Sequence, residues 1–399
     1  MPGVLDEAVA IGPELRELRR AIHREPEVGL DLPATQAKVL GALEGLPLKI
    51  TTGRQLSSVT AVLRGGRPGP TVLLRGDMDA LPVTELTGLS FSSEVDGAMH
   101  ACGHDLHTAM LAGAARLLSS HQDDLPGSVV FMFQPGEEGM GGARLMIEEG
   151  VLEASGQRPV AAYGMHVTSA GLPAGFFDGR PGPMMAAADQ LEITIRGRGG
   201  HASRPNRAAD PIPAACEIVT ALQTLVTRRF DVFDPIVITM GSFHAGTADN
   251  IIPDNAHLSG TMRTFSAAAR ATGKEAVIHL IQQIAQAHGL TADAEFIAGY
   301  PVTVNDGPEL EFVGQMIEDV IGTGRFSVAR NPVTGAEDFS YVLEQVPGAF
   351  VFLGACPPEA DVDSAPYNHS PKAMFDDSVL PAGAALLAEL ALGRLAAGA

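Results

Sequence analysis

Thr71-Val72-Leu73-Leu74-Arg75-Gly76-Asp77-Met78-Asp79 reads as a short, nearly continuous apolar run that stops on two carboxylates. A run of this length with β-branched residues fits a strand buried on both faces rather than a half-exposed one. The same grammar recurs twice. Ser128-Val129-Val130-Phe131-Met132-Phe133 leads into Gln134-Pro135-Gly136-Glu137-Glu138, and Val160-Ala161-Ala162-Tyr163-Gly164-Met165 leads into His166. Helical patterns over Thr108 to Leu118 and Gly142 to Ile147 lie between these strands. Strand and helix in alternation predict an α/β fold, a mostly parallel sheet sandwiched by helices. Ligands in such sheets bind beyond the carboxyl ends of the strands, so three separate segments deliver carboxylates and an imidazole to one edge.

Between the first two strands, His100-Ala101-Cys102-Gly103-His104-Asp105-Leu106-His107 holds one thiol, three imidazoles and a carboxylate. The whole chain has only three cysteines and twelve histidines. Such crowding points to a divalent transition metal. Two other readings of Cys102 compete, a buried apolar thiol and a nucleophile paired with histidine. His100 and His107 read as supporting or packing residues, and His23, on an N-terminal helix, as structural. Gly197-Arg198-Gly199-Gly200-His201 lacks the spacing and the lysine of a phosphate loop.

The length of 399 residues exceeds what one core usually serves, so two domains are expected. Gly/Pro-rich Asp178 to Pro183 looks like a hinge. Beyond it come an alternating strand at Leu191 to Arg196, a helix over Pro213 to Thr227, strands near Ile236 to Ser242 and Ala256 to Thr264, a helix over Ala267 to His288 and a strand near Ala292 to Ile297. That βαββαβ order is ferredoxin-like. The expected division is 1–184 and 299–399 for a catalytic domain in two parts, with 185–298 inserted. The second part supplies a helix and strand over Ala336 to Leu353 and an Ala/Leu-rich helix over Asp376 to Ala397.

A net charge of −20 opposes a phosphate backbone, so no nucleic-acid partner is expected. No apolar run reaches 18 residues and the N-terminus lacks a signal-peptide order, so no membrane association and a cytoplasmic location are expected. Cysteines at 102, 216 and 356 are too few and too scattered for a disulfide framework, which fits a reducing compartment.

Seven motifs then stand in order: Gly76-Asp77-Met78-Asp79-Ala80-Leu81-Pro82, Cys102-Gly103-His104-Asp105, Pro135-Gly136-Glu137-Glu138, Gly164-Met165-His166, Gly200-His201-Ala202-Ser203-Arg204-Pro205, Gly335-Ala336-Glu337-Asp338-Phe339 and His369-Ser370-Pro371. Together they resemble the amidohydrolase branch of the aminoacylase and carboxypeptidase superfamily, which includes hippurate hydrolases, auxin-conjugate hydrolases and N-acetyl-diaminopimelate deacetylases. The resemblance runs from Arg19 to the terminal helix. It implies a zinc-exopeptidase-like catalytic domain with an inserted lid and dimerisation domain, and a homodimer or higher homo-oligomer formed through that lid.

It also implies two divalent metal ions per subunit, with Cys102, His104, Glu138, His166 and His369 as ligands. The thiolate suits zinc, with manganese, nickel or cobalt as alternatives. Glu137 corresponds to the general base, and Asp79, Asp105 and Glu337 to residues that orient the ligands or the attacking water. The resemblance makes His201 an oxyanion donor and gives Asn250 and Arg263 the grip on a substrate carboxylate. For Arg263 an ordinary strand-end salt bridge is the competing reading. The peptidase members of the superfamily begin the site with His-x-Asp, where this chain has Asp77-Met78-Asp79. The implied reaction is hydrolysis of an N-acyl-L-amino acid to a carboxylate and a free amino acid. The alternatives are a dinuclear dipeptidase or carboxypeptidase, a metal-binding protein without turnover, and a cysteine hydrolase.

Overall fold

A computed structural model describes residues 3–398. They form two compact units. The first comprises the chain up to Met184, Val304–Asn331 and everything from Asp338 onward; the second comprises Met185–Thr303 and Pro332–Glu337.

In the first unit an eight-stranded sheet runs, edge to edge, Leu48–Thr52, Val59–Arg64, Pro126–Gln134, Arg67–Asp77, Ala161–Pro173, Gly348–Cys356, Phe177–Gly179 and Phe326–Val328. The central four strands are parallel, and Pro126–Gln134 and Gly348–Cys356 are buried along their whole length. Helices on both faces impose the unbroken apolar sequences of these strands. The two strands at the first edge are antiparallel.

Arg67–Asp77 is followed by helix His104–Ser120 and then by the neighbouring strand Pro126–Gln134; the chain next crosses to the other side of Arg67–Asp77 through helix Gly142–Glu148. Right-handed crossovers in opposite directions put the two helices on opposite faces. Accordingly His104–Ser120 packs on Gly12–Arg24 and Leu380–Ala397, and Gly142–Glu148 packs on Ser340–Leu343. The strand order therefore reverses at the carboxyl ends of Arg67–Asp77 and Pro126–Gln134, the place where open α/β sheets bind ligands.

By length and mean hydropathy the segment 377–397 could cross a membrane, although Glu389 and Arg394 interrupt its apolar run. Its helix instead fills the core, with Leu386, Leu387, Leu390 and Leu395 buried against His104–Ser120 and Gly307–Val320. Each such leucine contributes roughly 1.5–3 kcal/mol. The expected hinge is not one continuous loop: Phe177–Gly179 is a strand of the large sheet.

The second unit has the order strand Ala187–Arg196, helix Pro211–Arg229, strands Ile236–Ala245 and Asn255–Thr264, helix Ala267–Ala287 and strand Thr291–Ala298. The antiparallel sheet is ordered Ile236–Ala245, Asn255–Thr264, Ala187–Arg196, Thr291–Ala298, which is the ferredoxin-like arrangement. Alternate residues point inward to a separate core that includes Leu191, Ile193, Ile195, Ile218, Leu222, Val277 and Ile281. Asp210 and Ser266 cap the helices by accepting N–H groups of Ile212 and Ala269.

This unit extends beyond the expected end at 298. Ala188 N donates to Tyr300 O at 3.1 Å, and Ala186 N donates to Val333 O at 3.0 Å and to Gly335 O at 2.9 Å. These bonds recruit both the residues after the last strand and the returning segment that carries Glu337.

Candidate metal centre

Strand Arg67–Asp77 ends on a residue that the neighbouring helix holds: Thr108 Oγ1 donates to Asp77 O at 2.7 Å. Two positions on, Asp79 fixes three other site residues. Its carboxylate accepts the backbone N–H groups of Glu137 and Glu138, each at 3.0 Å, and its carbonyl accepts from His104 Nδ1 at 2.9 Å. The chain reaches His104 through Gly103 in the left-handed region, φ +87°, where a Cβ would lie 2.3 Å from Val167 Cγ2. Only glycine fits there. Gly136, φ +71°, makes the turn that separates Glu137 from Glu138, and a Cβ on it would lie 2.4 Å from Leu30 Cδ2.

These backbones bring five side chains together. Cys102 Sγ lies 3.3 Å from His166 Nε2 and 3.3 Å from His369 Nε2, and the latter is 3.2 Å from Glu138 Oε1. Ligand atoms bound at about 2.0–2.3 Å to one tetrahedral ion lie roughly 3.3–3.8 Å apart, close to these separations. Three triads of donors, Cys102–His104–His166, Cys102–Glu138–His369 and His104–Glu137–Glu138, each fall within 4.8 Å and share members. His104 Nδ1–H is donated to Asp79 O and His166 Nδ1–H to Val167 O, at 2.9 and 2.8 Å, which turns both Nε2 lone pairs inward. His104 Nε2 is buried without a hydrogen-bond partner. Such an orphan costs about 1–3 kcal/mol, which a cation at this spot would relieve.

His369 has φ +72°, the one non-glycine residue with positive φ among those described. Such strain costs on the order of 1–3 kcal/mol and persists only where surrounding structure imposes it. A further group, Asp77–His104–His107, is close-packed, but its donors are spent. Asp77 takes Arg75 Nη1 at 2.6 Å and His107 Nδ1 at 2.5 Å, while His107 Nε2 accepts from Val167 N at 2.8 Å. It is the support behind His166.

Burial, reinforced by the charge of Glu138, pushes the Cys102 thiol up to about 12. Burial and the neighbouring His107 and His104 hold His166 well below the ordinary imidazole range. His104 moves the other way: burial disfavours its cation, but Asp77, Cys102 and Asp79 outweigh that and hold it well above. A neutral His166 is ready to ligate. A thiol so reluctant to ionise needs a nearby divalent cation, which reverses its preference. The donor set therefore fits metal.

Residues 73–393 match the model of Peptidase family M20/M25/M40. The chain belongs to that family. As an M20/M25/M40 member it is similar to thermostable carboxypeptidase 2 of Saccharolobus solfataricus, 39% identical with 94% of each chain covered. It is similar also to N-acetylcysteine deacetylase of Bacillus subtilis, 37% identical over 95% of this chain and 96% of the relative. The crystal structure of a dinuclear metal binding peptidase of family M20 from Bacillus subtilis superposes with a TM-score of 0.84 at 34% identity, covering 97% of this chain and 99% of the other.

The remaining expected residues of this M20/M25/M40 chain fall in different places. Glu137 is buried beside the donors, and its Oε1 accepts the N–H of Asp338 at 3.4 Å. Asp105 does not orient a ligand. Its carboxylate meets Arg19 Nε at 2.6 Å and His23 Nδ1 at 2.8 Å, because the helix turns it away from His104 toward the N-terminal helix. His100 stays outside the donor set, buried, with burial pulling it down to about 3. Glu337 is buried at the end of the second unit's returning segment.

In the second unit, His201 is exposed on a two-residue strand paired with Ile251–Ile252, and Ala202 N donates to Asn250 O at 3.1 Å, so these two expected residues share one loop cluster. His201 Nδ1 accepts from Ser203 N at 3.2 Å, which leaves the ring proton on Nε2. Arg263 is half-buried on strand Asn255–Thr264, and burial lowers its pKa. It has no ion pair among the described residues, which removes the salt-bridge reading.

Several functional supports escaped the sequence reading. Arg75 is buried and joins Asp77 to Gln134 at 2.8 Å and to Asp338 at 3.1 Å. Asp338 accepts Gln134 Nε2 and Ala143 N at 2.8 and 2.9 Å. An arginine inside an otherwise apolar strand was the one available signal, since a buried cation requires buried carboxylates.

Proposed function

We propose that this chain is a metal-dependent amidohydrolase that cleaves N-acyl-L-amino acids to a carboxylate and a free amino acid. The observation that carries the reading is the convergence of Cys102, His104, Glu138, His166 and His369 with Glu137 alongside. Its relative N-acetylcysteine deacetylase supports the acyl-amino-acid substrate class. We assign the five donors to two divalent ions, zinc by the softness of the thiolate, with manganese, nickel or cobalt as alternatives. When bound, such ions polarise an amide carbonyl and lower the pKa of a water.

The chain's own residues do the rest. Asp79 clamps the backbone of Glu137 and Glu138 so that one ligates while the other handles protons. Glu137, steadied by the Asp338 N–H, accepts the proton of the attacking water and passes it to the leaving nitrogen. His201, with its proton on Nε2, is assigned as donor to the developing oxyanion. Arg263 and Asn250 are assigned to the substrate carboxylate, which a guanidinium can grip bidentately. The exposed Val237 and Phe243 on edge strand Ile236–Ala245 support a homodimer or higher homo-oligomer through the second unit. Three unpaired cysteines support a cytoplasmic location.

A relative that is a carboxypeptidase keeps a second reading in view, in which the same machinery cleaves a peptide's terminal bond. Hippurate, N-acetyl-amino acids and dipeptides, assayed side by side with metal analysis of the same sample, separate the two. Faster turnover of dipeptides than of every acyl-amino acid overturns the amidohydrolase assignment. Activity indifferent to chelators but abolished by thiol alkylation overturns the metal mechanism itself.

A further inference from the structure

One side chain ties together three of the segments that carry the donors. Asn368 Nδ2 donates to Cys102 O at 3.1 Å and to Val167 O at 3.0 Å, and its Oδ1 accepts from Ser169 N at 2.9 Å. The amide has one sensible orientation, since the reverse would set its oxygen against two carbonyls. Val167 O is also the acceptor for His166 Nδ1. The amide thus holds the main chain at one ligand, braces the carbonyl that fixes the tautomer of a second, and adjoins a third, His369.

That third ligand needs help. Its backbone is left-handed, its N–H is donated to Ala101 O at 2.8 Å, and its ring is 55% exposed, so packing does not hold it. A residue in this conformation relaxes when its surroundings allow. The anchor on one side is the Ala101 carbonyl; on the other it is the Asn368 amide.

We propose that Asn368 is a positioning residue that presets His369 beside Cys102 and Glu138, so that its loss weakens most the ion that takes His369. The inference rests on the dinuclear reading above. Residues that orient ligands typically contribute about 10- to 100-fold in metal affinity.

The test is titration of the metal-free full-length chain with Co2+, following the sulfur-to-cobalt charge-transfer absorption and the bound stoichiometry, for wild type, Asn368→Ala and Asn368→Asp. Asn368→Asp keeps the size and the acceptor toward Ser169 and removes both N–H donors, so it carries the test if Asn368→Ala fails to fold. Its added negative charge would by itself tighten cation binding. Preset geometry predicts the opposite: one equivalent weakens by about 10-fold or more, and by clearly more than the other. Unchanged or tighter binding of both ions in Asn368→Asp overturns the proposal, and so does equal weakening of both ions, which marks a general structural defect. A wild-type chain that binds fewer than two Co2+ overturns the dinuclear reading and this inference with it.

Discussion

Asp338 donates its backbone N–H to Glu137 Oε1 at 3.4 Å, although the two residues stand 201 positions apart. Asp338 is itself immobilised by Gln134, Ala143 and Arg75, so the carboxylate proposed as the base is aimed by a network rather than by its own loop. Glu137→Gln keeps the size and the acceptor for that N–H but cannot take a proton. It is expected to retain full metal content and lose about 100- to 10,000-fold in turnover. Elemental analysis and steady-state kinetics on one preparation check this, and near-wild-type turnover would remove Glu137 from the mechanism.

Cys102 lies within 3.3 Å of the Nε2 atoms of both His166 and His369. Cys102→Ala should therefore lower metal content as well as activity, because it takes a donor from more than one triad. Full occupancy measured by atomic spectroscopy would show that the sulfur is not a ligand.

Arg263 is a half-buried cation whose pKa burial lowers. A substrate carboxylate would repair that isolation. Arg263→Ala is expected to raise KM about 10- to 100-fold, the worth of a charge-assisted contact, with a smaller effect on kcat. Substrates amidated at the carboxyl end should lose discrimination between wild type and variant. A KM that does not move assigns the residue to the fold alone.

Acid should destabilise the cluster behind the site. Burial alone would push Glu85 up, but hydrogen bonds from His23, Thr87 and the Ser93 N–H outweigh it and take the carboxyl down to about 2 from 4.5. The unfolded chain therefore binds the extra proton first, and the contribution of Glu85, fully present above pH 4.5, is lost as pH falls toward 2. Urea denaturation at pH 5 and pH 3 should show a larger drop for wild type than for Glu85→Gln. Equal drops would show that other carboxylates carry the effect.

The parallel core was legible because burial on both faces leaves an unbroken apolar run, as in Val72 to Leu74 and Val129 to Phe133. The antiparallel edge strand Leu48–Thr52 left no comparable trace, since an edge is partly exposed and its pattern mixed. The cluster of candidate metal donors was legible because cysteine and histidine are rare here and crowd only for a reason. Asp105 misled because consecutive helical residues point about 100° apart, so its place beside His104 in sequence put it against Arg19 and His23 instead. Asn368 had no readable signal: its partners are residues 102, 167 and 169, and only the folded chain brings them to it.

The first unit is built from three separated stretches, and its strand Gly348–Cys356, its candidate ligand His369 and its core helix Leu380–Ala397 all come from the last of them. The second unit has its whole sheet and both helices within Met185–Thr303. During synthesis, then, the inserted unit can complete its core early, whereas the unit that holds the candidate metal donors must wait as an unclosed sheet until the stretch from Asp338 onward emerges. Chains stalled near residue 340 should yield a protease-resistant fragment from the insert and none from the sheet. The candidate metal centre comes into being only after the inserted unit has had its chance to fold.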